Sequence, residues 1–230
     1  MSQKQASLSN NDPLQLDSSD YASLTERVYE KLKHAIVFGE LKPGDRISER
    51  ELSRRMGAST TTIKNAIHRL NILGIVDIRP RRGTYVSAFY RTSIEEITTI
   101  RATLEGLAAG FASRKATEPD LLAIREQIAK MQRHTEAGEY EDLVRENTNF
   151  HDLVRTIARS AYIAQLIDVV RSFDRTIRRR ALIDPDEAQR GLDEHKRIAE
   201  AIIARDPELA EQRIKAHILR TLRFVMAELD

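Results

Sequence analysis

The chain contains no cysteine and no tryptophan. Without thiols it can form neither a disulfide nor a thiolate-ligated metal site, so any metal centre must use imidazole, carboxylate or amide donors. A cysteine-free chain also suits a reducing compartment, and a cytoplasmic protein is expected. No apolar run approaches the length of a membrane span, and no signal-peptide core is visible, so neither membrane insertion nor export is read here. Aromatic residues make up only 5% of the 230 residues. Strand-like alternation is confined to one short stretch, so helices must supply the fold. Neither sign of charge dominates, but the balance conceals a division. Tyr21 to Tyr90 carries 13 basic against 7 acidic side chains, while Arg91 to Asp230 carries 23 against 25. Only the first of these segments has an electrostatic footprint for nucleic acid.

Within that basic segment, Ile47 to Leu70 reads as two short amphipathic helices joined at Gly57. Ser48 and Glu51 have capping-box spacing, and Ser59 and Thr60 offer hydroxyl caps for the second helix. Its inward face is Ile63, Ala66, Ile67, Leu70 and Leu73; its outward face is Thr61, Lys64, His68 and Asn71. Small polar and basic residues on an exposed first turn suit a helix that enters the major groove. A hairpin follows: Ile75 to Ile78, a turn at Pro80-Arg81-Arg82-Gly83, and a return strand from Thr84. Arg82 and Gly83 at its tip would meet phosphate or the minor groove. Upstream, a helix opens at the capping box Ser23 to Glu26 and stops near Gly39. The bland alternative is a set of solvated helix faces. The helix, helix, helix, hairpin order favours a winged helix-turn-helix over residues 21–88, preceded by a polar arm at 1–20 and followed by a linker at 89–93.

From residue 94 to 230 the pattern is all helical. Six helices are expected, opening near Ser93, Thr117, Tyr140, Tyr162, Asp184 and Asp206, and short connections make an antiparallel bundle the natural arrangement. His151 lies on the apolar line Val144, Asn147, Val154, Ala158. His195 lies with Leu192, Ile198 and Ile202, and His217 with Ala210, Ile214 and Phe224. Three imidazoles aimed inward from three helices could share a divalent ion. Zinc fits best, with nickel or manganese as alternatives, and Asn147, water or a ligand could complete the shell. A lone inward histidine is more often a hydrogen-bonded core residue, so the convergence carries the reading. His34, His68 and His134 show none.

Arg101 falls on the apolar line Ile97, Leu104, Ala108, where a charge is costly unless paired. It either pairs with an internal carboxylate such as Glu105 or grips the carboxylate of a small effector. Arg178-Arg179-Arg180 reads as a solvated helix end.

These segments resemble a known family. Gly39 to Gly44, Glu49 to Leu52, Ser59, Ala66 to Leu70 and Arg82-Gly83 match the winged helix-turn-helix pattern of GntR-family transcription regulators. Phe150-His151, Glu194-His195, His217 and Arg101 to Glu105 match the FCD-type helical domain of the FadR subfamily. Six effector helices are more like its VanR-type branch. The resemblance runs from about Ser23 to the end of the chain. It implies DNA contacts from Arg50, Ser59, Thr60, Thr61, Lys64 and Gly83, metal ligation by His151, His195 and His217, and an effector contact at Arg101. Two departures stand out. Many members carry S-R-T-P-V-R where this chain has Ser59 to Lys64, so a relative's operator cannot be transferred. The family's metal aspartate is Asn147 here, a neutral and poorer ligand. The expected protein is a homodimeric repressor of a palindromic double-stranded operator, controlled by a small carboxylate metabolite bound near the metal. A metal-dependent enzyme or a direct metal sensor is the alternative. No inward Glu or Asp is recognisably placed beside the histidines as a general base, which counts against the enzyme.

Overall fold

Helix α1 (Ser18–Val37) opens the part of the chain described by the computed structural model, residues 18–171 and 173–228. It buries Val28, Leu32, Ile36 and Val37, the face expected of it. It begins before the capping box at Ser23 and takes in Ser18–Asp20 of the expected arm; the rest of that arm lies outside the described residues.

After strand β1 (Arg46–Ile47) come α2 (Glu49–Met56) and α3 (Thr60–Ile72). Ser48 Oγ accepts the Glu51 N–H at 3.3 Å, and Gly57 closes α2 at φ 62°, a left-handed conformation that costs glycine little. Ser59 Oγ accepts the Thr62 N–H at 3.1 Å. Between these caps, Ile63, Ala66, Ile67 and Leu70 are wholly buried, as a 3.6-residue period dictates. Arg69 ties α3 to α1 through Glu26, 2.6 Å away. Asn71 corrects an expectation: instead of facing outward, its side-chain amide donates to the Val76 carbonyl at 2.7 Å and joins α3 to the hairpin.

That hairpin is β2 (Val76–Arg79) and β3 (Gly83–Val86), antiparallel, with Arg79 opposite Gly83. The unexpected β1 adds to the free edge of β3, placing Arg46 opposite Tyr85. At Gly83 φ is 113°, and a Cβ there would stand 3.3 Å from Arg46 Nε. Only glycine suits both the turn and the close approach.

The chain divides into two compact units after Ala88. The second contains α4 (Tyr90–Lys115), α5 (Glu118–Ala137), α6 (Tyr140–Ile157), α7 (Ala161–Val170), α8 (Asp174–Leu182), α9 (Pro185–Ile203) and α10 (Pro207–Ala227). Tyr90 to Ser93, expected as linker, form the first turn of α4. The helical bundle stands, but with seven helices among the described residues rather than six. The expected fourth helix is two, and the count therefore does not by itself favour the VanR-type branch. Buried Phe173 lies between them, and the Asp174 N–H bonds to the Arg171 carbonyl at 3.0 Å. The break lets α7 pack on α4 while α8 packs on α6, α9 and α10. Leu121, Ile124, Phe150, Val154, Ile198, Ile202, Ile214 and Ile218 fill the main core. Among the described residues no helix is long and apolar enough to cross a membrane.

On α4 the expected inward line of Ile97, Ile100, Leu104 and Ala108 holds only in part. Ile100 faces outward, while Thr98, Arg101, Ala102, Glu105, Ala109 and Ala112 are buried. Small and polar residues, not the large apolar ones, line its inner face, because that face borders the charged centre described below.

At the start of α5, Asp120 accepts the Thr117 N–H and Oγ1–H and an Arg159 Nη2–H, each at 2.7 Å. The Thr117 backbone bond first, then Arg159, pull its carboxyl down to about 2. A depressed carboxylate contributes stability that is complete above the ordinary aspartate range near pH 4 and is lost as pH falls toward 2. Asp120→Asn should therefore cost about 1 kcal/mol at neutral pH, the scale of a helix cap, and should flatten the acid limb of a melting-temperature profile below pH ~4. An unchanged acid limb would refute that role.

Candidate functional site

His151 on α6, His195 on α9 and His217 on α10 meet in the bundle core, with one nitrogen from each within 4.8 Å of the others. Their inward stripes explain the convergence. Each is flanked by buried neighbours one turn away, Val154, Leu192 and Ile214 among them.

The hydrogen bonds fix two of the three tautomers. His195 Nδ1 lies 2.6 Å from the Gly191 carbonyl, which only accepts, so Nδ1 carries the proton and Nε2 a lone pair. His217 Nδ1 lies 2.6 Å from Glu194 Oε2, which leaves its Nε2 free in the same way. His195 Nε2 is then 3.3 Å from His151 Nε2. With nothing between them, His151 must donate from Nε2, leaving an acceptor at Nδ1. That acceptor would face Glu105 Oε2 at 3.5 Å, lone pair toward lone pair. His151 Nδ1 and both Glu105 oxygens are buried without a hydrogen bond. A cation between the Nε2 atoms resolves the conflict, because His151 can then carry its proton on Nδ1, toward Glu105. Two nitrogens on one tetrahedral zinc are about 3.3 Å apart. The donor set fits a divalent ion.

Burial, followed by the surrounding positive charges, holds His151 and His195 well below the ordinary histidine range. Burial also lowers His217, against the opposing pull of Glu194. All three are therefore neutral at physiological pH, the form in which an imidazole can take a metal. Asn147, one turn before His151 on the same face, is buried with its Oδ1 unbonded, an acceptor available as a fourth donor. Glu105 and Glu194 correct the expectation that no inward carboxylate stands beside the histidines. Both address Nδ1 atoms, behind the ligating nitrogens, so they orient imidazoles. Burial would raise Glu194, but bonds from His217 and Arg220 together hold it below the usual range. His134, expected to be isolated, lies 2.7 Å from Glu139 and, with Asp142, forms a second, more exposed group.

Arg101 is buried beside the cluster and ion-paired with Asp174 of α8, not with the expected Glu105. Asp174 also holds Arg178 at 2.7 Å, and Arg178 donates to Thr148 Oγ1 at 3.1 Å. Arg178 thus departs from the expected solvated helix end. Its neighbours Ile177, Ala181 and Leu182 are buried, and that stripe was the available signal. Burial first, then Arg178, push the Arg101 guanidinium down to about 9; burial brings Arg178 to about 10. Two guanidiniums with a divalent ion would bring four positive charges against the three carboxylates Glu105, Asp174 and Glu194. Such a core attracts an anion.

In the first unit, Arg50, Ser59, Thr60, Thr61, Lys64 and Arg82 are exposed, and Gly83 is half-buried at the wing. Ser59 Oγ is occupied by capping and lies 2.8 Å from Thr62 Oγ1. Lys64 Nζ sits 3.7 Å from Glu49, whereas Arg50 has no ion pair among the described residues. Arg46, invisible as a candidate in a two-residue strand, joins Arg82 at the wing.

Residues 24–86 match the family described as bacterial regulatory proteins, gntR family, and residues 96–220 match the FCD domain. The HTH-type transcriptional regulator YdhC of Bacillus subtilis (strain 168) is 28% identical over 190 residues, 82% of this chain and 85% of that protein. The HTH-type transcriptional repressor RspR of Escherichia coli (strain K12) is 24% identical over 195 residues, 85% and 86% of the two chains. Among solved structures, E. coli McbR/YncC superposes with a TM-score of 0.64 at 23% identity, covering 90% of this chain and 99% of that one. That likeness is one of fold. The relatives are transcription regulators, not enzymes.

Proposed function

Because this transcription regulator belongs to the GntR family and carries an FCD domain, we propose that it is a repressor that binds a palindromic operator as a homodimer and answers to a small carboxylate held beside a divalent ion. His151, His195 and His217 would hold the ion, with Asn147 as a weak fourth ligand and zinc as the best fit to three imidazoles. When bound, the ion supplies a Lewis-acid contact for one carboxylate oxygen of the effector. Arg101 would take that carboxylate through its guanidinium fork, and Arg178 would add a second positive group. The conflict of lone pairs at His151 and Glu105 carries the metal reading. The effector then acts by favouring one arrangement of the bundle, which alters the spacing of the paired DNA-binding units.

Thr60, Thr61 and Lys64 on α3, Arg50 on α2, and Arg82 and Gly83 on the wing would contact DNA, with Ser59 holding the first turn of α3. The test begins with operator fragments selected from random DNA by the purified protein. Arg50→Ala should weaken binding on all sequences and flatten the salt slope by about one unit, as expected for a free cation on a phosphate. Lys64→Ala should change the slope less, because Glu49 already offsets its charge, and should cost about 1–3 kcal/mol on the operator alone if it reads a base. Unchanged binding by both variants at matched salt would overturn the interface.

A further inference from the structure

The solvent face of the three-stranded sheet has a bare centre flanked by guanidiniums. Strand β1 is short but firmly fastened. The Gly44 N–H bonds to the Val86 carbonyl at 3.0 Å, and the Val86 N–H to the Asp45 carbonyl at 2.9 Å. Alternation then sends Ile47 into the core and Arg46 to solvent, beside Tyr85. From there Arg46 reaches along the sheet to Gly83. Its Nε, Nη2 and Cζ lie 3.3, 3.6 and 3.8 Å from the point where a Cβ of residue 83 would stand.

Arg79 closes the other side. It is paired opposite Gly83, and its guanidinium lies over the Tyr85 ring, 4.9 Å from the centroid. The Tyr85 hydroxyl donates to the Arg82 carbonyl at 2.9 Å, which holds the ring between the two cations.

Charge on this face is unbalanced. Asp77 stands 3.5 Å from Arg79 and offsets part of its charge, and the Asp45 carboxylate accepts the Lys42 N–H at 2.8 Å. Arg46, Arg81 and Arg82 are exposed and have no ion pair among the described residues. With Arg79, they leave a surplus of two positive charges over Asp45 and Asp77.

Two guanidinium forks converging on a residue without a side chain suit a small anion that accepts from both. A phosphate has the oxygens for it, and the bare Cα of Gly83 leaves the room. Strand β1 leads directly into α2, so Arg46 lies on the chain just before Arg50, which is proposed above to meet DNA.

We infer that Arg46 and Arg79, closing over Gly83, seat one backbone phosphate of the operator and so fix the wing on the duplex. The inference rests on the winged-helix interface proposed above and adds to it a contact from β1 and β2.

The test uses the full chain, a selected operator fragment and a random duplex. A phosphate contact carries no sequence information, so Arg46→Ala should weaken both complexes alike, about tenfold at low salt. Its salt slope should fall by about 0.9. Arg46→Lys should keep the slope and recover only part of the affinity, because an ammonium lacks the fork. Arg79→Ala should act in the same direction but less, because Asp77 already offsets its charge. Helical circular dichroism should be unchanged in all three. Operators carrying single neutral methylphosphonates then locate the seat. Wild type should lose affinity at each contacted phosphate, and at one of them Arg46→Ala should lose nothing further, while Arg50→Ala still does. A loss confined to the operator with the slope unchanged would make Arg46 a reader of bases and overturn the seat. So would an Arg46→Ala variant that binds like wild type while Arg50→Ala is weakened, and the interface would then stand without the seat. A wild-type chain with no salt-dependent binding to either DNA would overturn both.

Discussion

His195→Ala is expected to empty the proposed metal site. Metal analysis after prolonged dialysis against trace zinc should find a full complement in wild type and almost none in the variant. The same holds for His151→Ala and His217→Ala, whereas His68→Ala, on the exposed face of α3, should keep its metal. Loss of one imidazole of three removes a direct ligand, so binding should fall by more than the roughly 10–100-fold cost of losing an orienting partner. An ion present at a thousand times its Kd stabilises the folded state by about 4 kcal/mol, or roughly 8–16 °C in a chain of this size. A chelator should lower the melting temperature of wild type by that order and leave His195→Ala where it was. Asn147→Asp should tighten binding, because it adds a carboxylate to an otherwise neutral set. Equal metal content in all the histidine variants would end the metal reading.

Arg101→Ala is expected to have two separable effects. The first is on stability. Arg101 is buried and paired with Asp174, so its removal leaves that carboxylate to Arg178 alone. Breaking a buried pair outright costs about 3–5 kcal/mol, and the remaining Arg178 partner should keep the loss below that. Arg101→Met fills the volume and keeps the Asp174–Arg178 pair, so it should be the more stable variant in urea unfolding. The second effect is on signalling, and it should not recover. A panel of small mono- and dicarboxylates, scored by operator binding, should release wild type from DNA and leave Arg101→Met bound. Operator affinity without carboxylate should be nearly wild type in Arg101→Met, because the residues proposed to contact DNA belong to the other unit. An Arg101→Met variant that is stable and still responds would show that Arg101 only holds the fold and that the anion is bound elsewhere.

The sequence made the winged helix-turn-helix legible because its signals are local. Caps at Ser48 and Ser59, a left-handed Gly57 and the 3.6-residue spacing from Ile63 to Leu70 sit within two dozen residues. β1 escaped because its partner Tyr85 is 39 residues away and a two-residue strand shows no period. The three histidines were legible for the same reason as α3: each lies on a stripe whose other members are buried. The phase of α4 was not, because apolar residues were read as inward. Where a core is charged and an outer face is apolar, that rule inverts: Ile100 faces out, while Arg101 and Glu105 are on the buried side. The sequence offers Glu105 as a partner for Arg101 and not for His151, because a helical repeat does not say which neighbouring helix a side chain meets. The break between α7 and α8 carries no proline or glycine to announce it. It follows from where Phe173 and Asp174 find their partners, which local sequence does not encode. Arg178 was lost with it.

The depth of the three imidazoles has a kinetic consequence. His151, His195 and His217 are 1%, 0% and 7% exposed, and each comes from a different helix. An ion held there can leave only when those helices part, so its exchange follows the opening rate of the bundle, whatever its affinity. The ion would be acquired as the chain folds and kept for much of the molecule's life. A passing change in cellular metal would then reach the operator chiefly through newly made protein, on the timescale of synthesis and dilution. That delay would suit a built-in part and not a messenger, and would leave moment-to-moment control to the proposed carboxylate.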